Sequence, residues 1–131
     1  MDYQKDFLLS QIKQFTEAVQ FAINGKNDEE KVLIELNQIS ELYLDNSILN
    51  LLSNSLDDNI KDFKKGNNAV ELIQITAELF YQTAIIEKKS SHQQQIFKKS
   101  LELFEYLQNN SDVFSFEIDD KITEMRNFQK Q

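Results

Sequence analysis

The feature that most constrains this chain is its lack of residues that interrupt helices. Its 131 residues include no proline and only two glycines, Gly25 and Gly66. Proline removes a backbone donor and clashes with the preceding helical turn, so its absence permits long continuous helices. Apolar residues recur at steps of three and four along most of the sequence, which places them on one face of a helix. The pattern predicts an all-α fold.

The order of apolar stretches and turn residues predicts a single helical domain, 1–131, of five to six antiparallel helices stacked as helical hairpins. A first helix is predicted over 2–24, ending before Gly25. A second is predicted from Asp28, and the connection is short enough to require a hairpin. Ser47 and Ser55 are predicted to cap two short helices between residues 46 and 68.

A long helix is predicted over 67–89, and its apolar residues form two rows. We expect this helix to be buried on two sides and to lie at the centre of the core. Ala84 is predicted to sit at a close crossing with a neighbouring helix. Two further helices are predicted over 92–108 and 115–130, separated by a polar loop.

Composition excludes several kinds of chemistry. The chain has 14 basic and 22 acidic residues, a net charge of −8, one histidine and no cysteine. Thiolate metal sites, disulfides and cysteine nucleophiles are therefore impossible, and two distant glycines cannot form a phosphate-binding loop. The acidic balance disfavours nucleic-acid binding. No apolar run approaches the roughly 20 residues of a membrane span, and the first residues lack the pattern of a secretion signal, so we expect a cytoplasmic protein.

Three acidic clusters resemble metal sites but have a simpler explanation. They lie at Asp28–Glu30, Asp57–Asp58 and Glu117–Asp120, in the first turns of predicted helices. Negative charge there is favoured by the helix dipole. His92 lies at a predicted turn without a second histidine or cysteine, and we expect it to be an exposed loop residue. The sequence therefore predicts no metal and no cofactor.

A partner-binding surface is predicted on the helix over 92–108. Its apolar face carries Ile96, Leu103 and Leu107, and the other face combines amides, charges and a tyrosine, a mixture suited to an adaptable contact. Two phenylalanines in the following loop need either the core or a partner to cover them. The predicted partner-binding residues are Gln94, Lys98, Glu102, Glu105, Tyr106, Phe114 and Phe116.

One pair of segments resembles a tetratricopeptide unit. Ala77–Ala84 corresponds to its first helix, with the small residue at Ala84, and Phe97–Leu103 corresponds to the closing part of its second helix. The resemblance implies a tetratricopeptide-like stack of helical hairpins.

The chain as a whole is also similar to an uncharacterised bacterial family of small helical proteins, a domain of unknown function. The similarity lies in residues 2–12, in the glutamate-rich second helix and in Leu49–Ser53. It implies a tetratricopeptide-like fold and a bacterial origin, and it brings no catalytic residues.

These observations favour a non-catalytic helical-hairpin module that binds a protein or peptide partner, or a second copy of itself. Grooves between stacked hairpins accept peptides and partner helices. The alternative is an acidic mimic of nucleic acid that inhibits a nucleic-acid-binding protein, although the acidic residues are spread over both halves of the chain. An enzyme is disfavoured, because no pattern places two carboxylates in an apolar pocket.

Overall fold

The computed structural model describes residues 13–15, 17–21, 24, 28–66, 69–87, 90–110 and 116–129, and the regular secondary structure of this part is helical. Residues 13–15 and 17–21 are helical and precede six bounded helices. These are α1 (Glu29–Leu44), α2 (Ile48–Ser53), α3 (Leu56–Phe63), α4 (Ala69–Ile86), α5 (Ser90–Asn110) and α6 (Phe116–Gln129). The all-α prediction is confirmed. None of the described helices is both long and apolar enough to cross a membrane.

The N-caps predicted at Ser47 and Ser55 are confirmed, and Asp28 is the N-cap of α1. Asp28 precedes α1 and accepts a hydrogen bond at 3.0 Å from the backbone N–H two residues later. Ser47 and Ser55 precede α2 and α3, and each hydroxyl accepts from the N–H three residues later at 3.1 Å. Each cap satisfies a backbone donor that has no partner inside the helix, which explains why the short helices start at these residues.

The turn between α1 and α2 is fixed by side chains of α1. Asp45 ends α1 in the left-handed conformation, with φ 54°, which a short polar residue tolerates. Ser40, which is fully buried, donates to the carbonyl of Asn46 at 2.7 Å, and Asn37 Oδ1 accepts from the backbone N–H of Ile48 at 2.9 Å. These bonds set the direction in which α2 leaves α1.

Helix α4 is the centre of the core, as predicted. It packs against α1 on one side and most extensively against α5, with further contacts to α3. Two alanines and a leucine of α4 have no exposed surface at all. Its buried residues are Ile73, Ile75, Thr76, Ala77, Leu79, Phe80, Tyr81, Thr83 and Ala84.

Two hydrogen bonds fix the direction of α5 against α4. The Ser100 hydroxyl donates to the carbonyl of Ala77 at 2.8 Å, and Gln93 Nε2 donates to the carbonyl of Ala84 at 2.9 Å. Later positions of one helix meet earlier positions of the other, so α4 and α5 are antiparallel. Ser100 is fully buried, and its bond gives the hydroxyl a partner inside the core.

Helix α6 runs antiparallel to α5 and covers its other side. Gln108 Nε2 donates to Asp119 Oδ1 at 3.4 Å, and the guanidinium of Arg126 lies 3.3 Å from a carboxylate oxygen of Glu105. Ile122 and the other apolar residues of α6 at the same face are buried beneath these surface contacts.

Helix α5 is longer at both ends than the sequence predicts. The helix begins at Ser90, so His92 is exposed, as expected, but lies in the first turn of a helix and not in a loop. It extends to Asn110, whose side-chain amide donates to the carbonyl of Tyr106 at 3.1 Å. The predicted helix start at residue 2 and the terminating role of Gly25 lie outside the described residues.

We predict that Ala84→Leu lowers the free energy of unfolding by about 1–3 kcal/mol, because Ala84 is 0% exposed and a larger side chain overpacks the core. Denaturant unfolding measures the effect. The control is the adjacent Ile85→Leu, at a residue that is 48% exposed, which we expect to stay within about 0.5 kcal/mol of the wild type. An unchanged midpoint for Ala84→Leu would contradict the described packing of α4.

Candidate functional site

A groove of about 460 Å³ opens between α1 and α2 on one side and the α4–α5 pair on the other. Its volume lies within the range of about 300–1,000 Å³ that is typical of ligand pockets. The side chains that line it come from four helices and from Glu87, which follows α4 directly. The lining residues are Leu33, Asn37, Ile48, Leu49, Leu52, Ser53, Thr83, Glu87, His92, Gln95, Ile96 and Lys99.

The floor and one wall of the groove are apolar. Ile48 and Ile96 are buried at its base, Leu33 and Leu52 are half-buried, and Leu49 is 75% exposed. Leu49 is among the large apolar residues most exposed to solvent in the described part of the chain. An exposed leucine that continues a partly covered apolar wall is typical of a surface that binds another molecule.

The wall formed by α5 carries polar and charged groups. His92, Gln95 and Lys99 lie three and four residues apart, which places them on one face of the helix. The Lys99 ammonium is held in place, since it donates to the carbonyl of Asn54 at the end of α2 at 3.0 Å. The groove thus combines an apolar interior with a few oriented polar groups, the usual composition of a binding site.

Asn37 and Thr83 have roles inside the protein that fix the groove's shape. Asn37 accepts from the first N–H of α2, and its Nδ2 donates to a carboxylate oxygen of Glu41 at 3.3 Å. The Thr83 hydroxyl donates to the carbonyl of Leu79 at 2.7 Å. Because these bonds hold both side chains in place, the groove does not depend on a change in the position of either one.

Gln94 and Lys98, two of the predicted partner-binding residues, are exposed beside this groove. With Ser91 and Gln95 they line a shallow surface depression of about 510 Å³. Gln95 borders both concavities, so this part of the predicted surface adjoins the rim of the groove.

The other predicted partner-binding residues lie apart from the groove. Glu102 is half-buried and lines a small cavity with Lys99. Glu105 pairs with Arg126 of α6. Tyr106, also predicted to bind a partner, is half-buried against the core, and its ring centre lies 5.6 Å from the Lys64 ammonium.

The remaining two predicted partner-binding residues are phenylalanines. Phe114 lies outside the described residues, and Phe116 is the first residue of α6, with a side chain that is not described. The structure therefore does not bring the seven predicted residues together as one described surface. The neighbouring helices α3 and α6 contact the later residues of the predicted α5 face. The spacing of residues within α5 alone cannot indicate these contacts.

The residues of the groove were not predicted as a site from the sequence. Leu33, Ile48 and Leu52 have the spacing of core residues, and only the third dimension shows that α2 leaves a gap beside α5. One signal was present, namely that Ile48, Leu49, Leu51 and Leu52 supply more apolar side chains than a six-residue helix can bury on one face.

A second cluster of ionisable groups joins α4 to α6. The Tyr81 hydroxyl donates to a carboxylate oxygen of Glu124 at 2.7 Å, and the Lys121 ammonium donates to Glu78. Lys121 also lies 5.4 Å from the ring centre of Tyr81 and 5.9 Å from that of Phe104. The contacts are mutually satisfied, which is typical of a structural network that fastens one helix to another.

Burial raises the pKa of Tyr81 well above its usual value. The hydrogen bond to Glu124 and the negative charges of Glu124 and Glu78 act in the same direction, because each favours the neutral phenol over the phenolate. The cluster therefore keeps Tyr81 protonated and does not prepare it as a base.

Within the described ranges, no group of three or more histidine, aspartate or glutamate side chains is arranged to hold a metal ion. The acidic residues Glu29, Glu30, Asp57 and Asp58 lie in the first turns of α1 and α3, where the helix dipole favours them, as expected.

No protein family model, curated protein or solved structure matches this chain. Its function must therefore be inferred from the residues of the groove and their chemistry.

We predict that the stability of the protein falls above pH 10 and that Tyr81→Phe reduces this fall. The folded protein holds the Tyr81 proton more tightly than the unfolded chain, whose tyrosines titrate near pH 10. The stabilisation is thus complete below pH 10 and is lost as the pH rises toward the folded pKa, by at most about 1.4 kcal/mol per pH unit. Unfolding free energies measured at several alkaline pH values give the slope.

The control for this experiment is Tyr106→Phe, which removes another phenol whose ring lies against Lys64. We expect the alkaline slope of Tyr81→Phe to be smaller than the slope of this control. An equal slope in the wild type and Tyr81→Phe would contradict the described environment of Tyr81.

We also predict that EDTA leaves the melting temperature unchanged. A metal bound only by the folded protein stabilises it by mass action, so its removal lowers the melting temperature. Differential scanning calorimetry with and without chelator measures this, and a decrease of several degrees would show that the acidic clusters bind a metal.

Proposed function

We propose that this protein is a non-catalytic helical-hairpin module that binds a protein partner by holding an apolar segment of it in the groove between α2 and α5. The observation that carries the proposal is the groove itself, with its apolar floor and the exposed Leu49 on its wall. Binding of an amphipathic segment in such a groove requires apolar contacts for affinity and a few polar groups for orientation.

The arrangement of the helices supports the hairpin part of this proposal. Antiparallel α4 and α5 are tied together by the buried bond from Ser100 to Ala77, and α5 and α6 are also antiparallel. We propose that these units stack in the tetratricopeptide-like manner that the resemblance of Ala77–Ala84 and Phe97–Leu103 implies, as in the similar bacterial family. Grooves on the surface of such stacks are where partners bind.

The chemistry of the groove favours binding over catalysis. The polar side chains of Asn37 and Thr83 are occupied by bonds within the protein. Acid–base catalysis by a pair of carboxylates requires both groups at one reacting bond, and Glu87 is the single carboxylate residue among the described residues that line the groove.

The proposal is tested by Leu49→Gln. This change removes the most exposed apolar side chain among the described residues that line the groove, while glutamine has about the same helix propensity as leucine. We expect a protein captured from a lysate of the source organism by the wild type to be lost or reduced at least about tenfold, and we expect melting to stay unchanged. Quantitative mass spectrometry of the captured proteins measures the loss.

The matched control is Leu42→Gln, because Leu42 is 78% exposed on α1 and does not line the groove. It changes the same chemistry elsewhere on the surface and is expected to retain the partner. Equal capture by both variants would place the binding surface outside the groove, and the first surface to test would then be the outer face around Gln94 and Lys98.

The same experiment distinguishes the acidic-mimic alternative. A mimic of nucleic acid binds through spread carboxylates, so its partner is a nucleic-acid-binding protein whose capture weakens steeply with salt. Such a partner would be retained by Leu49→Gln, whereas the groove proposal expects its loss.

A further inference from the structure

The charge at one end of the groove indicates what kind of segment fits it. Lys99 is half-buried where α5 meets the end of α2, and its ammonium donates to the carbonyl of Asn54 at 3.0 Å. Within the part of the chain that the structure describes, no carboxylate oxygen lies within ion-pair distance of this ammonium. An ammonium has three donors, so two of them remain for another group.

A half-buried cation is costly when a neutral carbonyl is its partner and an arriving ligand removes its remaining water. An apolar segment that fills the groove beside Ser53 and Leu52 does remove that water. A carboxylate on the same segment compensates for the loss, because hydrogen bonds between opposite charges are about twice as strong as neutral ones. A segment without one leaves the ammonium poorly solvated.

The charges farther along the groove differ in kind. Glu87 and His92 lie at the opposite end, near the connection between α4 and α5. His92 is seven residues from Lys99, a rise of about 10 Å along the helix. Glu87 therefore lies toward the other end of the groove from Lys99.

We propose, resting on the function proposed above, that the partner segment is an apolar stretch carrying an acidic side chain, and that its carboxylate binds Lys99. The net charge of −8 does not oppose this contact strongly, since exposed charges beyond the Debye length are screened while a half-buried contact is screened much less. The net negative charge of the protein slows the approach of an acidic partner, and the contact between its carboxylate and Lys99 favours the binding of that partner.

The test begins with a displayed library of random short peptides selected against the wild-type protein. The selected peptides are expected to share aliphatic or aromatic residues and an aspartate or glutamate at a fixed distance from them. Each is then synthesised with the acidic residue and with its amide, Asn or Gln, and the dissociation constants are measured by fluorescence anisotropy.

A double-mutant cycle assigns the carboxylate to its partner. The wild type is expected to bind the acidic peptide about tenfold more tightly than the amide peptide. Lys99→Gln, which keeps a donor for Asn54, is expected to bind both peptides equally, and Lys99→Arg is expected to restore the preference. The matched control is Lys98→Gln, the exposed neighbour outside the groove, which should keep the preference of the wild type.

The outcomes separate this inference from the function on which it rests. One outcome is that peptides compete with one another for the groove and bind Leu49→Gln more weakly, yet show no preference for an acidic residue or no coupling to Lys99. That outcome would overturn this inference alone. Peptides selected for basic residues would do the same.

Failure to select any peptide that Leu49→Gln weakens would overturn both proposals. Another possible occupant of the groove is a second copy of the chain. A concentration-dependent dimer in sedimentation that Leu49→Gln abolishes, and Leu42→Gln does not, would replace the acidic peptide by self-association.

Discussion

The rest of the structure depends on the burial of α4 between α1 and α5. This helix carries buried apolar residues on two sides, and its glutamate and glutamine residues are confined to a narrow, half-buried stripe. Close packing on both sides requires small residues, and Ala77 and Ala84 are both fully buried. Ser100 of α5 meets the carbonyl of Ala77 in the same contact, which sets the register of the two helices. Once this register is set, the positions of the turn after α4 and of the groove-facing residues of α5 follow.

The groove is a consequence of how little α2 covers. Its six residues are fixed at the start by Ser47 and Asn37 and at the end by the bond from Lys99 to Asn54. A helix this short buries Ile48 and Leu51, and its remaining apolar surface lies at the groove. Because these bonds hold α2 at both ends, the proposed partner segment would bind a groove that is already formed, which would lower the entropic cost of binding.

The two polar regions of the protein have different roles for a physical reason. Around Tyr81 and Glu124, donors and acceptors satisfy one another and fasten α6 to the central helix. At the groove, the polar groups border apolar surface, and Lys99 has more donors than the described part of the chain occupies. Full satisfaction contributes to stability, whereas unused hydrogen-bonding capacity beside apolar surface is what a ligand can use.

The sequence by itself determined the helical class, the start of α1, α2 and α3 at Asp28, Ser47 and Ser55, and the central position of α4. These features depend on local chemistry, namely capping side chains and a spacing of three and four residues. Only the tertiary structure decided that Tyr106 is half-buried and that a groove opens beside Leu49. Both depend on which helices lie next to each other across many residues, and a spacing within one helix carries no information about the surface that its neighbour covers.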